Sequence, residues 1–224
     1  MLENNPLQKP LPYYQQIQQS IKETILNGVY KPGDRLYEAQ IAKQYGISRS
    51  PVREAIRALI NEGLLIMDEK SQIFVYKPTL QDVRDIYECR IALESTAVAL
   101  TAERASKEQL QILEDILIET EDAIKRGENE AIIACNARFH ELIIQFSGNE
   151  RLMKLVGDLN GLIYFYRVLN LKGSDRATTI LKGHTKIFNA IKDNDSDKAI
   201  TRLKEHTHED LINLVRIIEN LEER

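Results

Sequence analysis

Apolar residues recur at helical spacing along most of this chain, and one short stretch breaks the rhythm. Over about residues 13–27, Tyr14, Ile17, Ile21, Ile25 and Leu26 keep to one face, and Gly28 and Lys31-Pro32-Gly33-Asp34 turn the chain. Ile41 and Ala42 mark a second short helix over about residues 38–45. Gly46 leads into a third, ending near Asn61 and Gly63, with Val52, Ala55, Ile56 and Leu59 inward. The period then changes. Leu64-Leu65-Ile66-Met67 and Ile73-Phe74-Val75-Tyr76 are short apolar runs around a polar turn, which predicts a β-hairpin. From Thr79-Leu80-Gln81-Asp82, which has the form of a capping box, the helical period returns and holds. About six helices are expected, over residues 80–103, 106–126, 129–146, 150–169, 175–192 and from 196 onward. In the first of these Val83, Ile86, Tyr87, Ile91, Leu93, Ala97 and Leu100 form the apolar set. The fold class is therefore mainly α: three helices and a hairpin, then an antiparallel helical bundle with room for a polar site at its centre.

The third helix carries a second pattern on its polar side. Arg49, Arg53 and Arg57 recur every four residues and share one face. Ser48 supplies a hydroxyl that can cap the helix, and Pro51 sits in the first turn, where proline is tolerated. Three helices followed by a hairpin, with arginines on the third, describe a winged helix-turn-helix. Arg49 and Arg53 are the candidates for base edges, Ser48, Ser50 and Arg35 for supporting phosphate contacts, and Lys70 for a phosphate contact from the wing.

Composition sharpens the division. The net charge is −4, but residues 1–78 hold ten Lys or Arg against eight Asp or Glu, while the remainder holds twenty against twenty-six. The N-terminal third is thus the part suited to nucleic acid, and residues 1–77 and 78–224 are expected to be separate domains. Residues 1–10, polar with Pro6 and Pro10, are expected to form a mobile arm. Neither a membrane span nor a secretory signal is predicted, and Cys89 and Cys135 match no paired metal spacing, so a cytoplasmic protein with reduced thiols is expected.

Pro32-Gly33-Asp34-Arg35-Leu36, Glu38, Ile41-Ala42, the run from Gly46 to Ala55 and Glu62-Gly63-Leu64 closely resemble the GntR family of bacterial transcription regulators. One departure stands at the wing tip, where Glu69-Lys70-Ser71 replaces the glycine common in that family.

All four histidines fall in the helical part. Asn136 and His140 are one turn apart on one helix, and His184 and His206 lie on two others. Three imidazoles and an amide oxygen aimed at one point would suit Zn, Ni, Fe or Mn; spacing alone does not show this, since a histidine is usually a surface or satisfied core residue. The bundle resembles the FCD ligand-binding domain of the FadR subfamily, in which an Asp-x-x-x-His pair joins two later histidines. That resemblance implies His140, His184 and His206 as ligands of a divalent metal, with Asn136 standing where the family usually has aspartate. It also implies that Arg90 faces the pocket and holds an effector carboxylate, although Arg90 and Glu94 can equally form an ion pair. His208, two residues beyond His206, is expected to point to solvent, Arg138 to face pocket or solvent, and Tyr164, Tyr166 and Arg167 to be packing residues.

The function expected from these readings is a homodimeric, sequence-specific regulator. It would bind a palindromic double-stranded DNA operator and respond to a small carboxylate, release from the operator being the commoner family behaviour. The competing readings are a metal-dependent enzyme with an accessory DNA-binding domain and a regulator with no effector.

Overall fold

The structure, a computed structural model, describes residues 11–171 and 175–222; the expected arm over residues 1–10 lies outside them. Backbone contacts divide the chain into two compact units, between Lys77 and Pro78.

In the first unit α1 (Tyr13–Leu26) buries Ile17, Ile21 and Ile25 against α3 (Arg49–Asn61). The inward face of α3 consists of Val52, Ala55, Ile56 and Leu59, all at most 2% exposed. Between them lies α2 (Glu38–Tyr45), closed by Gly46 at φ 66°, a left-handed backbone conformation that only glycine adopts without penalty. Ser48 takes the N-cap position of α3, but its exposed hydroxyl makes no capping bond. The hairpin forms as β2 (Leu65–Met67) and β3 (Ile73–Val75), with Ile66 opposite Phe74. The sheet holds one strand more than expected: β1 (Arg35–Leu36) pairs with the other edge of β3, Arg35 opposite Phe74. Two residues are too short to show an alternating pattern, so β1 leaves no periodic signature in the sequence.

The wing tip resolves the missing glycine. Ser71 occupies the left-handed region at φ 59°. The Asp68 carboxylate accepts hydrogen bonds from the Lys70 and Gln72 amides at 2.9 and 2.7 Å, and the Ser71 amide donates to the Asp68 carbonyl at 3.0 Å. An aspartate-centred turn thus supplies by hydrogen bonding what glycine supplies by freedom.

The second unit is a bundle of α4 (Leu80–Arg104), α5 (Lys107–Arg126), α6 (Asn129–Phe146), α7 (Glu150–Asn170), α8 (Arg176–Lys192) and α9 (Ser196–Glu222). Capping boxes start two of these helices, Thr79 with Asp82 for α4 and Ser106 with Gln109 for α5. The Asn149 side chain caps α7. At the centre is α4, packed on α6, α7, α8 and most extensively α9. One apolar core joins Val98, Leu113, Phe139, Leu142, Ile143, Ile187, Phe188, Ile191 and Leu203. Ile86, Ile91, Leu93 and Leu100 of α4, expected inside, are only half-buried, whereas Arg90 and Glu94 are buried at 1% and 2% exposure. None of the described helices is long and apolar enough to cross a membrane.

Candidate metal centre and nucleic-acid interface

In the winged unit Arg49, Ser50, Arg53 and Arg57 are exposed along one side of α3. Arg53 is not free: its Nε donates to Glu38 Oε2 at 2.8 Å, from the first residue of α2. The carboxylate restrains the guanidinium from behind and leaves its two terminal nitrogens unbonded by that contact. Arg35 lies over the Tyr37 ring at 4.7 Å, a cation–π contact that holds it at the surface. Ser48 and Lys70 are exposed, Lys70 at the wing tip. A cleft of about 510 Å³ runs between α3 and the wing, bordered by Glu38, Arg53, Arg57, Met67 and Ser71.

In the bundle the helices converge on a buried polar cluster. Three elements bring His140, His184 and His206 together, all at most 3% exposed, with one potential ligand atom from each within 4.8 Å of the others. The Nε2 atoms of His140 and His184 are 3.2 Å apart. Metal–nitrogen bonds near 2.1 Å would place two such nitrogens between roughly 3.0 Å (octahedral) and 3.4 Å (tetrahedral) apart, so this spacing suits a shared cation. Glu94 of α4 faces His140, its Oε2 2.9 Å from Nδ1; an imidazole protonated on Nδ1, toward that carboxylate, keeps the lone pair on Nε2. Phe139 stacks on His184 with ring centroids 4.2 Å apart. His206 approaches so closely that a Cβ on Gly183 would stand 2.6 Å from its Nδ1; the glycine is required by this contact. On the other side Asp210, bonded by Arg176, lies 3.7 Å from His206 Nε2.

Electrostatics keep the cluster ready for a cation. Burial lowers all three histidines, His140 to about 4, and the Arg167 charge adds to the effect there. The imidazoles are therefore neutral at physiological pH, the form that coordinates. Burial alone would raise Glu94, but Arg90, His140 and Arg167 override it and hold the carboxyl well below its ordinary value. The side-chain oxygen of Asn136, 3% exposed, has no hydrogen-bond partner among the described residues. A neutral amide oxygen left unpaired in the interior costs stability unless something accepts its lone pairs, so the residues present fit a metal.

Two guanidiniums compete for Glu94. Arg90 Nε donates to Oε1 at 3.0 Å, and Arg167 Nη2 lies 3.6 Å from the same oxygen. The ion pair expected as an alternative for Arg90 thus forms. Both of its terminal nitrogens nevertheless lack a hydrogen-bond partner among the described residues, as does the Tyr87 hydroxyl, over whose ring the guanidinium sits at 4.7 Å. Arg167, expected as packing, is a buried charged member of the cluster. Arg138 is exposed, as is His208, the latter as expected. Tyr87, Arg167, Asp210 and Arg176 carried no motif; the signal for them is a polar residue on an otherwise inward face, visible once the helices are placed.

A basic helix backed by a wing, and a separate bundle enclosing a polar chamber, are the architecture of a DNA-binding transcriptional regulator. Residues 13–75 match the family described as bacterial regulatory proteins, gntR family, and residues 85–209 match the FCD domain. The chain belongs to the GntR family and carries an FCD domain. It is 44% identical over 214 residues to the HTH-type transcriptional regulator YdhC of Bacillus subtilis (strain 168), covering 95% of this chain and 96% of that one. It is 30% identical over 160 residues to McbR of Escherichia coli (strain K12), covering 69% and 72%. The solved structure of E. coli McbR/YncC superposes with a TM-score of 0.77 at 24% identity, covering 92% of this chain and 98% of that one. These families and relatives are transcriptional regulators and not enzymes.

Proposed function

We propose that the bundle, residues 78–224, is a metal-dependent sensor of a small carboxylate that controls operator binding by the winged domain, residues 1–77. His140, His184, His206 and the amide oxygen of Asn136 hold a divalent Zn, Ni, Fe or Mn ion. When bound, the metal supplies a Lewis-acidic anchor for an effector oxygen. Arg90 takes the carboxylate with its two unpartnered nitrogens, in the bidentate manner of a guanidinium. Glu94 orients His140, and Tyr87 offers a hydroxyl to the same ligand. The protein works in the cytoplasm as a homodimer whose two α3 helices read the half-sites of a palindromic operator. Arg49 and Arg53 contact base edges, while Arg35, Ser48, Ser50 and Lys70 meet the backbone. The effector releases the operator, so the protein is a repressor.

The convergence of three buried, neutral histidines, with an orphaned amide oxygen one helical turn before His140, carries this reading. Its test is metal content together with a gel-shift titration on the DNA upstream of the gene, against a panel of small carboxylates with and without chelator. His184→Ala with His206→Ala should abolish both metal retention and the effector response while DNA binding persists. Metal content unchanged by the double substitution would refute the assignment. A metal-bearing protein whose DNA binding no carboxylate alters would establish the regulator without this effector class.

A further inference from the structure

Arg57 stands furthest from the start of α3 on the arginine ridge, and among the described residues it makes no hydrogen bond or ion pair. It is exposed and borders the cleft of about 510 Å³ between α3 and the wing. The other charged groups on that cleft are Arg53 and Glu38, which are paired with each other at 2.8 Å. Two arginines against one carboxylate leave the cleft cationic, and the uncompensated charge is that of Arg57.

Beneath these charges the cleft is apolar. Ile56 and Ile73 are buried and Ile60 is half-buried. On the hairpin side Met67 borders it at 59% exposure, the most exposed apolar residue of the two strands. Leu65, two residues earlier and on the same face of β2, is fully buried, so Met67 extends past the core on which the strand packs. A guanidinium beside a thioether matches a sugar–phosphate strand, which offers anionic oxygens to the first and a deoxyribose face to the second. The placement agrees. A major groove is divided from the neighbouring minor groove by one such backbone. With α3 in the major groove, an element projecting beside it, as the wing does, has that backbone between itself and the helix.

We propose that the α3–wing cleft seats the sugar–phosphate strand flanking the major groove, with Arg57 on a phosphate and Met67 against the adjoining deoxyribose. This rests on the placement of α3 in the major groove. The Arg57 contact is electrostatic and indifferent to sequence, and the Met67 contact sets how deeply the strand enters. Glu38, neutralised by Arg53, bounds the cleft on the side of α2.

The test uses the full-length protein, the duplex upstream of its gene and an unrelated duplex of equal length, titrated across a salt series. Arg57→Gln should weaken binding to both duplexes about tenfold and reduce the slope of log affinity against log salt by about 0.9 per protomer, the signature of a lost phosphate contact. Met67→Ala should weaken binding to both severalfold with the slope unchanged, while Met67→Leu should bind as the parent does. Both side chains are exposed, so thermal midpoints should stay at the parent value. An unchanged slope in Arg57→Gln overturns the proposal, as does parent-like binding by Met67→Ala. So does weakening by Arg57→Gln confined to the upstream duplex, which would make Arg57 a reader of bases. Arg49→Ala controls for the placement of α3 and should lose the preference for the upstream duplex. Preference lost there with Arg57→Gln unaltered overturns the cleft assignment alone; preference kept there overturns both. No metal or effector enters the measurement, so either result leaves the sensor reading intact.

Discussion

Glu94 Oε2 on α4 and His140 Nδ1 on α6 stand 2.9 Å apart, and this pairing favours the ring orientation in which Nε2 of His140 faces His184. Glu94 is also the shared counter-charge of Arg90 and Arg167. Glu94→Gln should therefore lower metal affinity about 10- to 100-fold, measured against a competing chelator. It should also cost roughly 3–5 kcal/mol in urea unfolding, because two buried guanidiniums lose their carboxylate. Parent-like affinity in a protein of parent-like stability would show that His140 is oriented by something else.

Gly183→Ala tests the packing of α8 against His206. In an open helix this change raises stability by roughly 0.5–1 kcal/mol. Here the new methyl would meet His206 Nδ1 at 2.6 Å, so the ring must shift. Retained helical circular dichroism with metal affinity reduced at least tenfold is the expected result.

Acid should weaken the metal-free protein before its carboxylates titrate. The histidines are depressed in the folded state, His140 to about 4, against 6.5 for an unperturbed histidine. Between these values the unfolded chain binds more protons than the folded one, so stability present above about pH 6.5 is lost as pH falls toward 4. Each fully depressed histidine contributes a slope of about 1.4 kcal/mol per pH unit. Urea midpoints of the chelated protein at pH 7.5 and 5.0 measure this; equal midpoints would mean that the rings are not buried and neutral.

Glu38 should act on DNA selectivity more than on affinity. It holds Arg53 by Nε at 2.8 Å, yet its negative charge also opposes phosphate. Glu38→Gln should raise binding to unrelated DNA and narrow the preference for the operator. Arg53→Ala should cost about 1–3 kcal/mol on the operator alone. Competition gel shifts at a fixed salt concentration separate the two effects.

The wing tip offers a local check. Ser71 holds a left-handed φ of 59° with no glycine to ease it. Ser71→Gly should stabilise the protein by roughly 0.5–1 kcal/mol, read as a higher thermal midpoint.

The winged unit was largely legible in the sequence because its boundaries are written in special residues: Gly28, Gly46 and Gly63 all carry positive φ where turns were expected. Only β1 escaped, being too short for a period. The bundle's helices were legible from their caps and apolar repeats, but its interior was less so. Periodicity assigns polar residues to solvent, and that rule inverts on α4, where Arg90 and Glu94 pair deep inside while Ile91 and Leu93 sit half out. His140, His184 and His206 were found through family resemblance, since spacing cannot show that three separate helices converge. Arg167 was read as packing because nothing along α7 reveals that its neighbour in space is a shared carboxylate.

Glu94 and Leu80, the third residue beyond the junction at Lys77, belong to one uninterrupted helix. Fourteen residues separate Glu94 from Leu80, a lever arm of about 21 Å at 1.5 Å per residue. A tilt of about 5° pivoting at the cluster would carry the far end of that arm by about 2 Å, roughly half the spacing between successive Cα atoms. Within the bundle, the polar chamber and the residues next to Pro78 thus share one continuous length of helix, over which a small angle at one end is a large step at the other.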